Sequence, residues 1–170
     1  MKSVVMMGVA GCGKSSAGQA VAQALGLPLI EGDEFHPNSN LEKMRQGLAL
    51  NDADRNDWLT ALGEALEKNK HGAVLTCSAL KRIYRERLRE HAPGLRFVFL
   101  DIDPHTAHQR VTARAGEHLF PPSLVTSQFA TLESPVGEPG VLRVDATQAL
   151  GTLSQTVAHW LLEESKKDAQ

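Results

Sequence analysis

Continuous apolar runs occur at Val4-Val5-Met6-Met7, Leu29-Ile30, Ala73-Val74-Leu75, Phe97-Val98-Phe99-Leu100 and Val141-Leu142. They are too short for buried helices and several are β-branched or aromatic, so they read as strands covered on both faces. Between them the apolar positions recur at helical spacing. This predicts helices over Ser15 to Leu25, over Asn51 to Asn69 with a stripe of Trp58, Leu59, Leu62 and Leu66, and over Arg82 to His91. Further helices are predicted from Pro104 through Ala107, Val111 and Ala115, over Ser123 to Leu132, and over Leu150 to Glu164 before the charged tail Lys166-Lys167-Asp168. A short helix from Leu41 to Gln46 is expected to be capped by Asn40 and ended by Gly47. Strands alternating with helices require right-handed parallel crossovers, so the expected class is α/β, a parallel five-stranded sheet with helices on both faces.

The first strand runs straight into Gly8-Val9-Ala10-Gly11-Cys12-Gly13-Lys14-Ser15, two glycines five apart followed by lysine and a hydroxyl residue. That is the phosphate-loop pattern, and the strand before it and helix after it are the context the motif needs. Successive backbone N–H groups and the helix N-terminus converge on nucleotide phosphates there, Lys14 adds a full positive charge, and the Ser15 hydroxyl is placed to hold magnesium. Gly8, Val9, Ala10, Gly11, Cys12, Gly13, Lys14, Ser15 and Ser16 are therefore the expected ATP-binding set. A glycine-rich turn that binds nothing is the competing reading.

Other candidates sit where open α/β sheets place their ligands, at the carboxyl ends of strands. Glu31 and Asp33 follow the second apolar run, and an extended chain would point both to one side. Lys81 follows the third run, and within the basic stretch after it Lys81 and Arg85 stand apart from an ordinary solvated face. Arg110 and Arg114 lie one turn apart on a predicted helix, as a phosphate clamp would. The broken stretch around Gly116-Glu117-His118 and the helix after it make residues 110–135 an expected mobile lid. A phosphate loop, an acid pair, a basic residue and paired arginines are what a small-molecule phosphoryl-transfer enzyme needs.

Composition narrows the setting. A chain of 170 residues suits one α/β domain over 1–170. Its net charge of −2, with both signs interspersed, leaves no electrostatic footprint for nucleic acid or an anionic membrane. Two cysteines without a disulfide-like pattern fit a reducing compartment. No apolar run approaches the roughly 18 residues of a membrane span and no signal-peptide pattern is present, so a cytoplasmic protein is expected.

The chain resembles the gluconate kinases, a branch of the P-loop kinases related to shikimate and nucleoside monophosphate kinases. The resemblance runs through Gly32-Asp33-Glu34-Phe35-His36-Pro37, Asn40, Lys43-Met44, Gly47, and Leu50-Asn51-Asp52-Ala53-Asp54-Arg55 leading to Trp58-Leu59. Cys77-Ser78-Ala79-Leu80-Lys81 with Tyr84-Arg85, His118, Ser127-Gln128-Phe129 and Leu132-Glu133-Ser134-Pro135 extend it over nearly the whole chain. Ala49 stands where the family usually has proline, Ala10 and Cys12 replace serines, and Leu119 replaces an aromatic, none of them removing an assigned charge. Cys12 also adds a thiol near the phosphates, an expected point of oxidant sensitivity.

The resemblance implies transfer of phosphate from ATP, with Mg2+, to D-gluconate giving 6-phosphogluconate, and a homodimer. An aldonate needs a cation for its carboxylate and polar partners for its hydroxyls, which His36, Asn40, Lys43, Arg55 and Lys81 supply, with His118 added by the family pattern. Asp33 matches the family's Gly-Asp-x-Phe-His motif, ends a strand expected next to the phosphate loop, and is the expected base. Glu31 is its rival, otherwise expected to hold magnesium with Ser15 through water. A kinase for shikimate or a nucleotide is the near alternative, and a non-catalytic nucleotide switch the distant one.

Overall fold

The computed structural model describes residues 1–114 and 121–170. The chain alternates β1 (Val4–Met7), α1 (Lys14–Leu25), β2 (Leu29–Glu31), a 3₁₀ turn (Gly32–Phe35), α2 (Asn38–Arg45), α3 (Asp52–Lys68), β3 (Val74–Thr76), α4 (Arg82–His91) and β4 (Arg96–Asp101). It continues through α5 (Pro104–Ala113), α6 (Leu124–Thr131), β5 (Val141–Asp145) and α7 (Leu150–Asp168), the charged tail forming the last turn of that helix. Among the described residues no helix is long and apolar enough to cross a membrane.

The five strands are ordered β2-β3-β1-β4-β5 and every neighbouring pair is parallel, with Val5 lying between Leu75 and Phe97. Both faces are covered, as continuous apolar strands require. Val4 and Met6 pack with Ala17 and Val21 of α1, Val111 of α5 and Val157 of α7. Val5 and Met7 point the other way, onto Trp58, Leu59 and Leu62 of α3 and Leu88 of α4. Helix starts follow local chemistry. Asn51 and Asp54 form a reciprocal capping box on α3, and Asp103 caps α5 by accepting from Thr106 N–H at 2.8 Å, with Pro104 in the first turn.

Three expectations about local structure are corrected. The second strand stops at Glu31 and the chain turns through the 3₁₀ segment, so Glu31 and Asp33 are not alternate residues of one strand. The cause is close packing: a Cβ on Gly32 would stand 2.1 Å from the Thr76 carbonyl oxygen, and the Gly32 carbonyl accepts the Trp58 indole N–H at 2.8 Å. Nor does β2 neighbour the phosphate-loop strand, because β3 lies between them. Asn40 does not cap α2 but lies buried within it, its amide tied to Asp54 of the next helix, and Pro37 occupies the cap position.

Candidate active site

The loop between β1 and α1 forms one wall of a cavity of about 400 Å³. Gly13 at the start of α1 has φ 90°, no side chain caps the helix, and its first turn holds no acid, so its unpaired N–H groups face the cavity. Gly11 must be glycine on two counts, a φ of 85° and a Cβ that would stand 2.7 Å from the Ala107 carbonyl. The Lys14 ammonium donates to the carbonyls of Gly8 at 2.9 Å and Val9 at 3.1 Å, folded back along the loop that it serves. Arg110 donates to Gly11 O at 3.3 Å and Ala146 O at 3.2 Å, and both it and Arg114 line the cavity. Gln148, Leu150 and Leu153, just before and within the start of the last helix, also line the cavity, and periodicity gave them no role in a site.

Cys12 is buried, and burial pushes its thiol pKa up against the opposing pull of Lys14 and Arg110. A buried neutral thiol is a poor nucleophile, so the expected oxidant sensitivity is corrected. Cys77 is buried too, its thiol pushed up to about 12 chiefly by desolvation.

Glu31 is tied to Ser15, which lines the same cavity. Its Oε2 accepts from the Ser15 hydroxyl at 3.2 Å and from the Thr76 hydroxyl at 2.6 Å, while Thr76 Oγ1 accepts from Gly32 N–H at 3.2 Å. A serine hydroxyl and a carboxylate side by side are hard oxygen donors, the kind Mg2+ takes while keeping water and phosphate for its remaining positions. No cluster of three or more His, Cys, Asp or Glu that could hold a metal ion occurs among the described residues.

A second, narrower cleft of about 30 Å³ opens beside the first. Asp33, His36, Arg55, Trp58 and Ser78 line it on one side, and Leu124, Ser127 and Gln128 of α6 on the other. Among the described residues Asp33 alone lines both spaces. His36 stacks on Trp58, ring centroids 4.1 Å apart and 15° from parallel. The Asn40 amide nitrogen donates to Asp54 O at 2.7 Å, which fixes the amide's orientation, and lies 3.3 Å from His36 Nδ1. That nitrogen only donates, so His36 Nδ1 accepts and the ring proton sits on Nε2, 3.9 Å from Asp33 Oδ1. Desolvation, and then the Arg55 charge, pull the His36 pKa down to about 4, leaving the ring neutral at pH 7.

Arg55 is buried, with Nη1 donating to Leu50 O at 2.7 Å and to Tyr84 Oη at 3.1 Å. Tyr84 in turn donates to Asp52, which also pairs with Lys81 at 2.9 Å. Lys43 is bound by Asp54 at 2.8 Å. The structure thus brings Asp33, His36 and Arg55 to the cleft wall, with Asn40 behind His36, whereas Lys43 and Lys81 stand outside the walls of both spaces. His118, and with it part of the expected lid, lies outside the described residues. Arg85 is a structural residue rather than a site residue: fully buried, it donates to the carbonyls of Ala79, Leu80 and Glu133 and pairs with Glu138 at 2.6 Å.

Thr76 and Gln128 carry site geometry to which the sequence reading assigned no role, although Gln128 stands in one of the strings that carry the family resemblance. Thr76 sits inside an apolar run, and Gln128 looks like a polar position on an ordinary helix until its Oε1 is seen to accept the Ala10 N–H at 2.7 Å.

The shikimate kinase family model matches residues 10–127. The chain is 41% identical over 158 residues to the thermoresistant gluconokinase of Escherichia coli strain K12, covering 90% of each chain. It is 42% identical over 165 residues to the gluconokinase of Gluconobacter oxydans strain 621H, covering 95% of this chain and 92% of that one. Among solved structures, a gluconokinase from Sinorhizobium meliloti 1021 superposes with a TM-score of 0.84 at 45% identity, covering 96% of this chain and 97% of that one.

Proposed function

The chain belongs to the gluconokinase family, within the wider shikimate kinase family, and from that membership we propose that it transfers the γ-phosphate of ATP to the 6-hydroxyl of D-gluconate. The observation that carries the reading is the placement of Asp33, which among the described residues is the one carboxylate lining both the phosphate-loop cavity and the adjoining polar cleft. In this reading ATP lies in the larger space, its phosphates against Lys14, the backbone of Gly8 to Ser16 and the uncapped start of α1. Arg110 and Arg114, which line the same space, meet those phosphates from α5 and its C-terminal end. Gluconate lies in the narrower cleft.

The acceptor's carboxylate goes to Arg55, the buried guanidinium of the cleft wall, because His36 is neutral there. His36, held by Asn40, serves the hydroxyls. Lys43 and Lys81 act through the acids that they bind, Asp54 and Asp52, and so keep the Arg55 surroundings in place. Mg2+ would be held by Ser15 and, through water, Glu31, and would supply charge neutralisation across the terminal phosphates.

Phosphoryl transfer asks mainly for an aligned nucleophile and fixed charge. Asp33 orients the 6-hydroxyl and takes its proton as the new O–P bond forms and the bond to the ADP oxygen breaks. Two further parts of the proposal come with the family, a homodimer and a cytoplasmic location. The test is ATP consumption by the purified protein with gluconate, other aldonates, shikimate and nucleoside monophosphates. The highest kcat/KM is expected with gluconate, and faster turnover of shikimate or a nucleotide would overturn the assignment.

A further inference from the structure

The narrow cleft and the phosphate loop meet at one side chain besides the shared carboxylate. Gln128 lies on α6, one turn from Leu124 and next to Ser127, and all three line the cleft. Its Oε1 accepts the Ala10 N–H at 2.7 Å in a buried contact spanning 118 positions of sequence. A backbone N–H only donates, so the orientation of the amide is fixed by this bond.

The loop segment it holds is also tied by charged groups that a nucleotide would claim. Lys14 donates to Gly8 O and Val9 O, and Arg110 to Gly11 O. When phosphate draws those cations toward itself, the Gln128 contact stays as a neutral side-chain tether on the loop, beside the backbone bond from Gly8 N–H to Ser78 O at 3.3 Å. The cleft is also narrow, at about 30 Å³, so a six-carbon acid in it would press on its lining. Its lining includes Leu124, Ser127 and Gln128, and the same helix carries the tether.

We propose that Gln128 is a positioning residue that couples occupation of the acceptor cleft to the geometry of the phosphate loop, so that acceptor and nucleotide bind cooperatively. This rests on gluconate being the acceptor. Such coupling is reciprocal and in proteins amounts to about 5–150-fold in affinity.

The experiment measures binding of a non-hydrolysable ATP analogue by calorimetry, without and with saturating gluconate, in the parent, Gln128→Met and Gln128→Glu, with thermal melts confirming that each is folded. Met keeps the length and removes the acceptor, whereas Glu keeps an acceptor oxygen. In the parent, gluconate is expected to tighten analogue binding about fivefold or more. In Gln128→Met that ratio is expected to fall to about one, whatever the change in either ligand's affinity alone; Gln128→Glu restores the ratio. A merely structural role would weaken both ligands and leave the ratio in place. Parental coupling in Gln128→Met, loss of coupling in both variants, or no coupling in a parent that binds gluconate overturns the proposal alone. A parent that does not bind gluconate overturns the gluconate reading and this coupling with it.

Discussion

Single residues in the cleft owe their properties to what surrounds them, and His36 is the clearest case. An isolated histidine titrates near 6.5, but the ring sandwiched against Trp58 and facing the Arg55 charge titrates at about 4. The unfolded chain therefore binds a proton between about pH 6.5 and 4 that the folded chain does not, so stability is full above 6.5 and is lost as pH falls through that window. His36→Gln, which keeps a polar ring-sized group without titrating, is expected to flatten this segment of the stability profile. Urea denaturation of both proteins at pH 7 and pH 5 checks it, and equal pH dependence in the two would contradict the assignment. The neutral ring was not readable from the motif, because a histidine beside an acid pair suggests a charged partner until burial is known.

At the scale of elements, the segment after β3 is held by Arg85, whose guanidinium makes its bonds to three backbone carbonyls and to Glu138 with no exposure of its side chain. Burial pushes the Glu138 carboxyl up, but hydrogen bonds from Arg85 and Arg89 and their charges together outweigh it and hold the pKa below its ordinary value. Removing one partner of such a pair leaves a buried charge without compensation, a loss of roughly 3–5 kcal/mol. Glu138→Ala is expected to lower unfolding stability by about that amount in denaturant melts, while kcat of the protein that remains folded stays near parental, since Glu138 lines neither ligand space. A loss below roughly 1 kcal/mol would show that the pair is solvated. Most element boundaries were legible in the sequence because strand and helix periods differ. The acid pair was misplaced for a local reason: Gly32 packs against the Thr76 carbonyl, and no period records that contact.

For the whole molecule, the unbroken apolar run of Val4 to Met7 foretold a strand covered by helices on both faces, and the glycines before Lys14 foretold the phosphate site. The strand order was not legible in that way. Crossovers of similar length lead to either neighbour, so β3 rather than β2 beside β1 could be known only from the assembled sheet. That order still brings Asp33 to the seam, because the 3₁₀ turn carries it past the end of β3 to the boundary between the two ligand spaces. Glu31 stays on the phosphate side with Ser15 and Thr76. The account therefore divides labour between two neighbouring acids, one for the acceptor's proton and one for the metal. The measurement that tests this most directly is steady-state kinetics of Asp33→Asn with gluconate, alongside its affinity for ATP. The account expects ATP affinity within about threefold of the parent and kcat lower by about 10²–10⁴-fold, the range for loss of a general base; kcat within about threefold of the parent would contradict it.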